Sequence, residues 1–159
     1  MPYDLSRLSN LPPERTVENL AVGGNQGEHG GVIVKLAFQN SKSTETITFL
    51  RAGGIALATA LSQAAEKTHI PNITKAERRK LAATIPTIED YDWNLHGQKS
   101  RIVGAIYAKA DDNGIAFEFI MRDGTPRRIL IPPKIARFLG EYLYQYRPCL
   151  DDPQPKDDK

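Results

Sequence analysis

The sequence has few of the residues that mark several large classes of protein. Cys149 is the one cysteine among 159 residues, so no disulfide can form within the chain, which favours a reducing compartment. The longest apolar stretch, residues 55–61, is far shorter than the ~20 residues of a membrane-spanning helix. The N-terminus has no basic region followed by an apolar run, so we expect no secretory signal. These features predict a globular, cytoplasmic protein that does not enter a membrane.

A strong excess of one charge is also missing, since 21 Lys and Arg residues stand against 19 Asp and Glu. The positive charge is nevertheless uneven along the chain. Residues 75–137 contain twelve basic and eight acidic residues, whereas residues 1–74 contain six of each. Binding to nucleic acid depends on a concentrated basic region. Only the second part of the chain offers one.

Motifs of catalysis and metal binding are not evident. The three histidines, His29, His69 and His96, lack the i, i+4 spacing that directs two imidazoles at one metal ion. His29 and His96 can still meet Asp90 or Asp92 after folding, and the sequence leaves that arrangement open. The sequence therefore predicts a non-catalytic protein with no metal and no cofactor.

Five of the nine residues 23–31 are glycine, but a strand follows them. A phosphate-binding loop requires a helix N-terminus at that point. We therefore interpret residues 23–31 as a flexible connection between two strands.

One pattern of elements occurs twice along the chain. Apolar alternation predicts three strands in each copy, and a helix follows the third. The first copy covers residues 17–67, with strands at 17–22, 32–38 and 46–50 and a helix at 55–67. The second covers residues 101–146, with strands at 101–109, 115–121 and 127–131, a hairpin turn at 123–124 and a helix at 133–146.

Apolar residues at helical spacing form one stripe along that helix: Ile135, Phe138, Leu139, Tyr142, Leu143 and Tyr146. Alternation directs these strand residues inward: Val32, Val34, Leu36, Phe38, Ile47, Phe49, Ile115, Phe117, Phe119, Met121, Ile129 and Ile131. We expect an α+β fold in which antiparallel sheets pack on helices with pseudo-twofold symmetry.

The rest of the chain completes the predicted domain organisation. Residues 1–16 are expected to be an extended arm, and residues 150–159 a disordered acidic tail. One globular domain, residues 17–149, contains both copies and a helical connector at 68–100. Within the connector, Thr74 and Glu77 have the spacing of a capping box, which predicts a short helix to about residue 83.

The order of curved strands followed by a helix, occurring twice over residues 17–146, resembles the PUR and Whirly class of single-stranded nucleic-acid-binding proteins. Those units are generally four-stranded, whereas three strands are visible in each copy here. The resemblance implies binding to single-stranded nucleic acid and names no particular residue.

The basic residues of the second copy and its connector are the candidate binding residues. Strand alternation directs Arg128 away from the core, on the same side as Tyr107, so that a solvated sheet face can combine arginine with an aromatic ring. The predicted nucleic-acid-binding residues are Arg78, Arg79, Lys99, Arg101, Tyr107, Arg122, Arg127 and Arg128. On this hypothesis, reversing the charge of Arg127 and Arg128 weakens binding and preserves the melting temperature.

A second hypothesis is a protein–protein interaction module, such as a small inhibitor or adaptor. Outward-facing Ile120 and Leu130 and an exposed strand edge are suited to docking on another protein. The sequence does not separate DNA from RNA as the ligand, or a monomer from a homodimer.

Overall fold

The computed structural model describes residues 14–24, 30–67, 71–84, 86 and 99–150. These residues form a six-stranded mixed sheet with helices packed against it. Its strand order is β3-β2-β1-β6-β5-β4. The strands are β1 (Arg15–Gly24), β2 (Val32–Phe38), β3 (Thr44–Phe49), β4 (Val103–Asp111), β5 (Gly114–Met121) and β6 (Pro126–Ile131). Three α-helices accompany them in the described residues: α1 (Arg51–Lys67), α2 (Lys75–Ala83) and α3 (Pro133–Gln145). The expected mixture of strands and helices is therefore confirmed.

Parallel contacts join the two halves of the sheet. Neighbouring strands are antiparallel except for β1 and β6, which pair in parallel at Arg15–Ile129 and Thr16–Leu130. At the opposite edges, Thr48 of β3 forms a single parallel bridge with Ile102, and its amide donates to the Arg101 carbonyl at 2.7 Å. The sheet thus curls until its two edge strands meet at one point.

The curled sheet encloses one apolar core. The rings of Phe49 and Phe119 lie edge to face at 5.4 Å, although β2, β1 and β6 separate their strands in the sheet. Leu57 of α1 and Leu139 of α3 are buried against the same side chains. The predicted inward-facing residues of β2, β3, β5 and β6 are all buried: Val32, Val34, Leu36, Phe38, Ile47, Phe49, Ile115, Phe117, Phe119, Met121, Ile129 and Ile131. Alternation therefore identified the core correctly.

The predicted apolar stripe of α3 is confirmed. Ile135, Phe138, Leu139 and Leu143 are buried, and Pro133 stands in the first turn, where a missing N–H leaves no hydrogen bond unmade. The predicted turn at residues 123–124 is also present, with a φ of +88° at Gly124.

Helix α1 begins at Arg51, four residues before the predicted start at Ile55. The predicted helix follows Gly53-Gly54, but both glycines lie inside α1. Leu150 packs directly on Gly54, where a Cβ atom would collide with its side chain. Helix α1 lies mainly along β4 and makes fewer contacts with α3.

Helix α2 has the predicted capping box, with Thr74 Oγ1 accepting from the Glu77 amide at 3.1 Å. Ion pairs of Glu77 with Lys134 and of Arg78 with Glu141 attach α2 to α3. Hydrogen bonds from Lys134 and from the Thr74 backbone lower the pKa of Glu77 from 4.5 to about 2. The connector helix is thus held against α3 by charge.

Two boundaries of the fold differ from those predicted. Strand β1 begins at Arg15, inside the expected arm, and Leu150, expected in the tail, is buried. The other residues of the predicted arm and tail, 1–13 and 151–159, lie outside the described residues. In the described part of the chain, no helix has both the length and the apolar character of a membrane span.

Candidate nucleic-acid interface

A polar cleft lies at one end of the curled sheet. Strands β1, β3, β4 and β6 all run in the same direction, so their first residues meet at this end. The cleft has a volume of about 620 Å3. We call it the strand-end cleft, and its lining residues are Glu14, Arg15, Thr44, Glu45, Thr46, Ser100, Arg101, Pro126 and Arg127.

Glu45 lies between two arginines in the strand-end cleft. Its Oε1 accepts from Arg127 Nε at 2.7 Å, and its Oε2 is paired with the Arg15 guanidinium. The guanidinium carbon of Arg15 also lies 3.9 Å from the centre of the Phe38 ring. One carboxylate therefore orients two guanidinium groups, and their combined charge is that of a single cation.

Arg101 has a different environment in the same cleft. It makes no ion pair with any residue that the structure describes, although Glu14 and Glu45 line the same cleft. The lining also contains three hydroxyl side chains, those of Ser100, Thr44 and Thr46. A guanidinium beside hydroxyl groups is a favourable environment for an anion, because all of these groups can donate hydrogen bonds.

Lys99 and Arg122 lie close to this cleft. Lys99 is exposed two residues before Arg101. The Arg122 amide donates to the Ile102 carbonyl at 2.8 Å, which places the exposed turn between β5 and β6 beside the entry to β4. Of the predicted binding residues, the structure thus gathers Lys99, Arg101, Arg122 and Arg127 at one end of the sheet.

Arg128 and Tyr107 lie on another surface. Tyr107, Glu118 and Arg128 are direct cross-strand neighbours on β4, β5 and β6. Glu118 has no exposed surface, and its Oε1 lies 3.6 Å from Arg128 Nη1. Arg128 Nη2 also lies 2.8 Å from Glu14 Oε1. This sheet face is therefore not solvated at Glu118, and Arg128 forms an ion pair with the buried carboxylate.

Arg78 and Arg79 stand on α2 and are not part of the cleft lining. Arg78 is engaged with Glu141, which lowers the pKa of that carboxyl through its hydrogen bond. Arg79 is exposed.

Sequence reasoning missed Arg15 and Glu45. Arg15 fell within the expected arm, and Glu45 preceded the predicted start of β3. Alternation along the strands could have identified Glu45 as a residue at the end of the core. Glu45 continues the inward-facing series of Ile47 and Phe49. Arg127 continues the corresponding series of Ile129 and Ile131. A charged residue at the end of such a series lies at the end of the core.

The chemistry of the described residues is otherwise sparse. They contain no group of three His, Cys, Asp or Glu side chains arranged to hold a metal ion. His29, His96, Asp90 and Asp92 lie outside the described residues.

A second recess, the helix groove of about 460 Å3, runs between α1 and α3. Ile55 and Tyr144 line it and are 47% and 72% exposed.

No protein-family model, curated protein or solved structure matches this chain. The resemblance to the PUR and Whirly class depends on the order of elements, and each half of this sheet contributes three strands where those units generally have four.

Proposed function

We propose that this protein is a non-catalytic binding protein for single-stranded nucleic acid, and that phosphate groups of the strand enter the strand-end cleft. The observation that carries the proposal is the convergence of Arg15, Arg101 and Arg127 with three hydroxyl side chains at one end of the sheet. Guanidinium groups bind phosphate through charge-assisted, often bidentate hydrogen bonds.

Within the cleft, Arg101 is the first contact for a phosphate, since no described acid neutralises it. Exposed Lys99 and Arg122 extend the positive surface at the same end of the sheet. We place the binding site in this cleft and not on the sheet face around Tyr107. Arg128 on that face already forms ion pairs with Glu14 and Glu118.

The recessed shape of the cleft favours a single strand over a duplex. Duplex DNA is a stiff rod with a persistence length of about 50 nm and does not bend into a recess of this kind without cost. A single strand is flexible, so that one or two phosphates can enter while neighbouring nucleotides remain outside.

We also propose that the two halves of the sheet are copies of one unit related by a pseudo-twofold axis. The strand registers support this. In the first half, a bulge at Glu18 separates the pair Val17–Phe38 from the pair Asn19–Ala37. In the second half, a bulge at Gly104 separates Val103–Met121 from Ala105–Ile120 in the same way. The Gln39 amide donates to the Thr16 carbonyl at 2.9 Å, as the Arg122 amide does to the Ile102 carbonyl at 2.8 Å.

The contacts between the halves match in the same way. The Thr48–Ile102 bridge corresponds to the Leu130–Thr16 pair, and both are parallel. Helix α1 follows β3 and packs on β4, and α3 follows β6 and packs on β1. In this arrangement Glu45 and Arg127, 82 residues apart, are equivalent residues, so both copies contribute to the strand-end cleft.

Fluorescence anisotropy with a labelled oligothymidylate of about 15 nucleotides tests the proposed function. Arg101→Glu is expected to weaken binding at least tenfold. Lys75→Glu, the same charge reversal at an exposed position on α2, is the matched control and should change the affinity less than twofold. The logarithm of the wild-type affinity should fall linearly with the logarithm of salt concentration.

Absence of wild-type binding, or equal binding by the Arg101→Glu protein, would contradict the proposal. Capture of a partner protein that survives nuclease treatment and high salt would instead favour the interaction-module hypothesis, which was based on Ile120 and Leu130. The exposed Ile55 and Tyr144 are a further apolar surface for such a partner.

A further inference from the structure

The helix groove contains large apolar side chains that one copy of the protein leaves in contact with solvent. Tyr144 of α3 and Ile55 of α1 both line it, and among the described residues these are the large apolar side chains that remain exposed. The guanidinium carbon of Arg147 lies 4.9 Å from the centre of the Tyr144 ring and restrains the ring at the surface. Exposed apolar groups gathered in one groove indicate a contact surface.

Gly140, one helical turn before Tyr144, leaves an open space in the wall that α3 forms. Apart from its chain neighbours and the backbone of α3, no atom of the described residues lies within 4 Å of the position that a Cβ atom of Gly140 would take. A glycine inside a helix lowers stability relative to alanine, and no described side chain uses the space that this glycine leaves. The space therefore suits a group from another molecule.

The wall that α1 forms is free of charge. Residues 52–65 contain no charged side chain, although seven of them are exposed: Ala52, Ile55, Ala56, Thr59, Ser62, Gln63 and Ala65. The exposed residues of α2, by contrast, include Lys75, Arg78, Arg79 and Lys80. Because the central part of a protein–protein interface is depleted in charge, the exposed surface of α1 has the composition of such an interface.

The spacing of Tyr144 and Gly140 makes this surface complementary to itself. The two residues are four positions apart and lie on the same face of α3. When two copies of α3 cross in antiparallel orientation about a twofold axis between these positions, Tyr144 of each copy lies opposite Gly140 of the other. The short side chains of Ala58 and Thr59 on the α1 wall leave room for the ring between the two helices.

The face that α1 and α3 present is large enough for a dimer. The helices have 17 and 13 residues. At 1.5 Å per residue they are about 26 Å and about 20 Å long, and two neighbouring helices form a face about 20 Å wide. Each copy thus contributes roughly 500 Å2, and two copies bury about 1,000 Å2 together, which is the lower limit for a specific interface.

We propose that the helix groove is a dimer interface, in which a second copy of this chain is the occupant and Tyr144 of each copy is seated over Gly140 of the other. The twofold arrangement is the commonest symmetry of homo-oligomers. The helix groove shares no lining residue with the strand-end cleft, so the inference does not depend on the proposed function.

Sedimentation velocity of the full-length protein over about a hundredfold range of concentration tests the inference. A species of twice the monomer mass should increase with concentration. Tyr144→Ala removes the ring from an exposed position and should raise the dimer dissociation constant at least tenfold. Gln145→Ala, at the next exposed residue of α3 and outside the groove lining, is the control and should change this constant less than twofold.

Gly140→Gln fills the open space with a polar side chain and should also raise the dissociation constant at least tenfold. Because glutamine favours a helix more than glycine does, the melting temperature of this variant should not fall, which separates loss of the dimer from loss of the fold. The matched control is Ala65→Gln, which introduces the same side chain at an exposed position of α1 outside the groove lining. It should change the dissociation constant less than twofold.

A mixture of the two groove variants tests the pairing itself. The Tyr144→Ala protein retains Gly140, and the Gly140→Gln protein retains Tyr144, so a mixed dimer can form one of the two ring contacts. At the other contact, the added glutamine faces the position from which the ring was removed. The mixture should therefore associate more strongly than either variant alone.

Three results would overturn the inference. A wild-type protein that stays monomeric over the whole concentration range would assign the groove to a different partner. Dimerisation of Tyr144→Ala and Gly140→Gln as strong as that of the wild type would place the dimer interface elsewhere. A mixture that associates no better than the separate variants would exclude the contact between Tyr144 and Gly140.

Discussion

Glu45 and Arg127 meet at 2.7 Å across the end of the core, although β2 and β1 lie between their strands in the sheet. Each residue precedes two inward-facing residues of its strand, Ile47 and Phe49 in one case and Ile129 and Ile131 in the other. The ion pair therefore links the two halves of the curled sheet at the position where their inward faces converge.

Replacing Glu45 by Gln should strengthen binding of a single-stranded oligonucleotide. The change adds one net positive charge to the strand-end cleft and releases Arg15 and Arg127 for phosphate. We expect an increase in affinity of roughly threefold to tenfold, with a steeper salt dependence by about 0.7 for each additional phosphate neutralised. Anisotropy titrations at two salt concentrations measure both quantities. Weaker binding would show instead that Glu45 serves to position the two arginines.

Reversing the charge of Arg128 should destabilise the protein. Arg128 faces Glu118, whose side chain is fully buried, so Arg128→Glu places two negative charges together in a buried site. We expect a loss of about 3 kcal/mol or more in the free energy of unfolding, measured by urea denaturation. The sequence predicted that the charges of Arg127 and Arg128 can both be reversed without a change in melting temperature. For Arg128 we now expect a lower melting temperature instead. An unchanged urea midpoint for Arg128→Glu would show that Glu118 is compensated by another group.

The C-terminal boundary of the fold should lie after Leu150. This side chain is 4% exposed and packs on Gly54, so Leu150→Ala should cost about 2–5 kcal/mol. Truncation after residue 150 is expected to leave the melting temperature unchanged, whereas truncation after residue 149 should lower it by several degrees. Equal melting temperatures for the two truncated proteins would place Leu150 outside the core.

Attachment of α2 should weaken in acid. The pKa of Glu77 is lowered from 4.5 to about 2 in the folded protein, chiefly by its hydrogen bond with Lys134. A carboxyl with a depressed folded-state pKa stabilises the fold above its unfolded-state pKa, and this contribution is lost as the pH falls through the folded-state value. The difference in melting temperature between wild type and Glu77→Gln should therefore be constant above pH 4.5 and shrink toward pH 2. A difference that stays constant over this range would contradict the assignment.

Local patterns in the sequence were sufficient for the elements themselves. Alternation along β5 and the helical stripe through Phe138 identified which residues are buried, because both depend only on neighbours within one element. The start of α1 was missed for the opposite reason. Gly54 was placed before the helix, but it lies inside α1, where its missing side chain leaves room for Leu150, a residue almost a hundred positions away.

The candidate site was predicted only in part. Arg101 and Arg127 were identified from local charge, but their meeting with Arg15 and Glu45 depends on the parallel pairing of β1 with β6 and on the curl of the sheet. No local pattern in one sequence encodes a strand pairing over such a separation. The burial of Glu118 was missed for the same reason, since alternation assigns a side chain to a face and does not say whether that face is covered.

The parallel pairing of β1 with β6 also has a consequence for how the molecule is made. Strand β1 takes one of its neighbours from residues 129–130, so that neighbour is absent until β6 has left the ribosome. Until then the first hairpin must remain soluble with one flank unprotected, and the sheet is completed only after β6 has been synthesised.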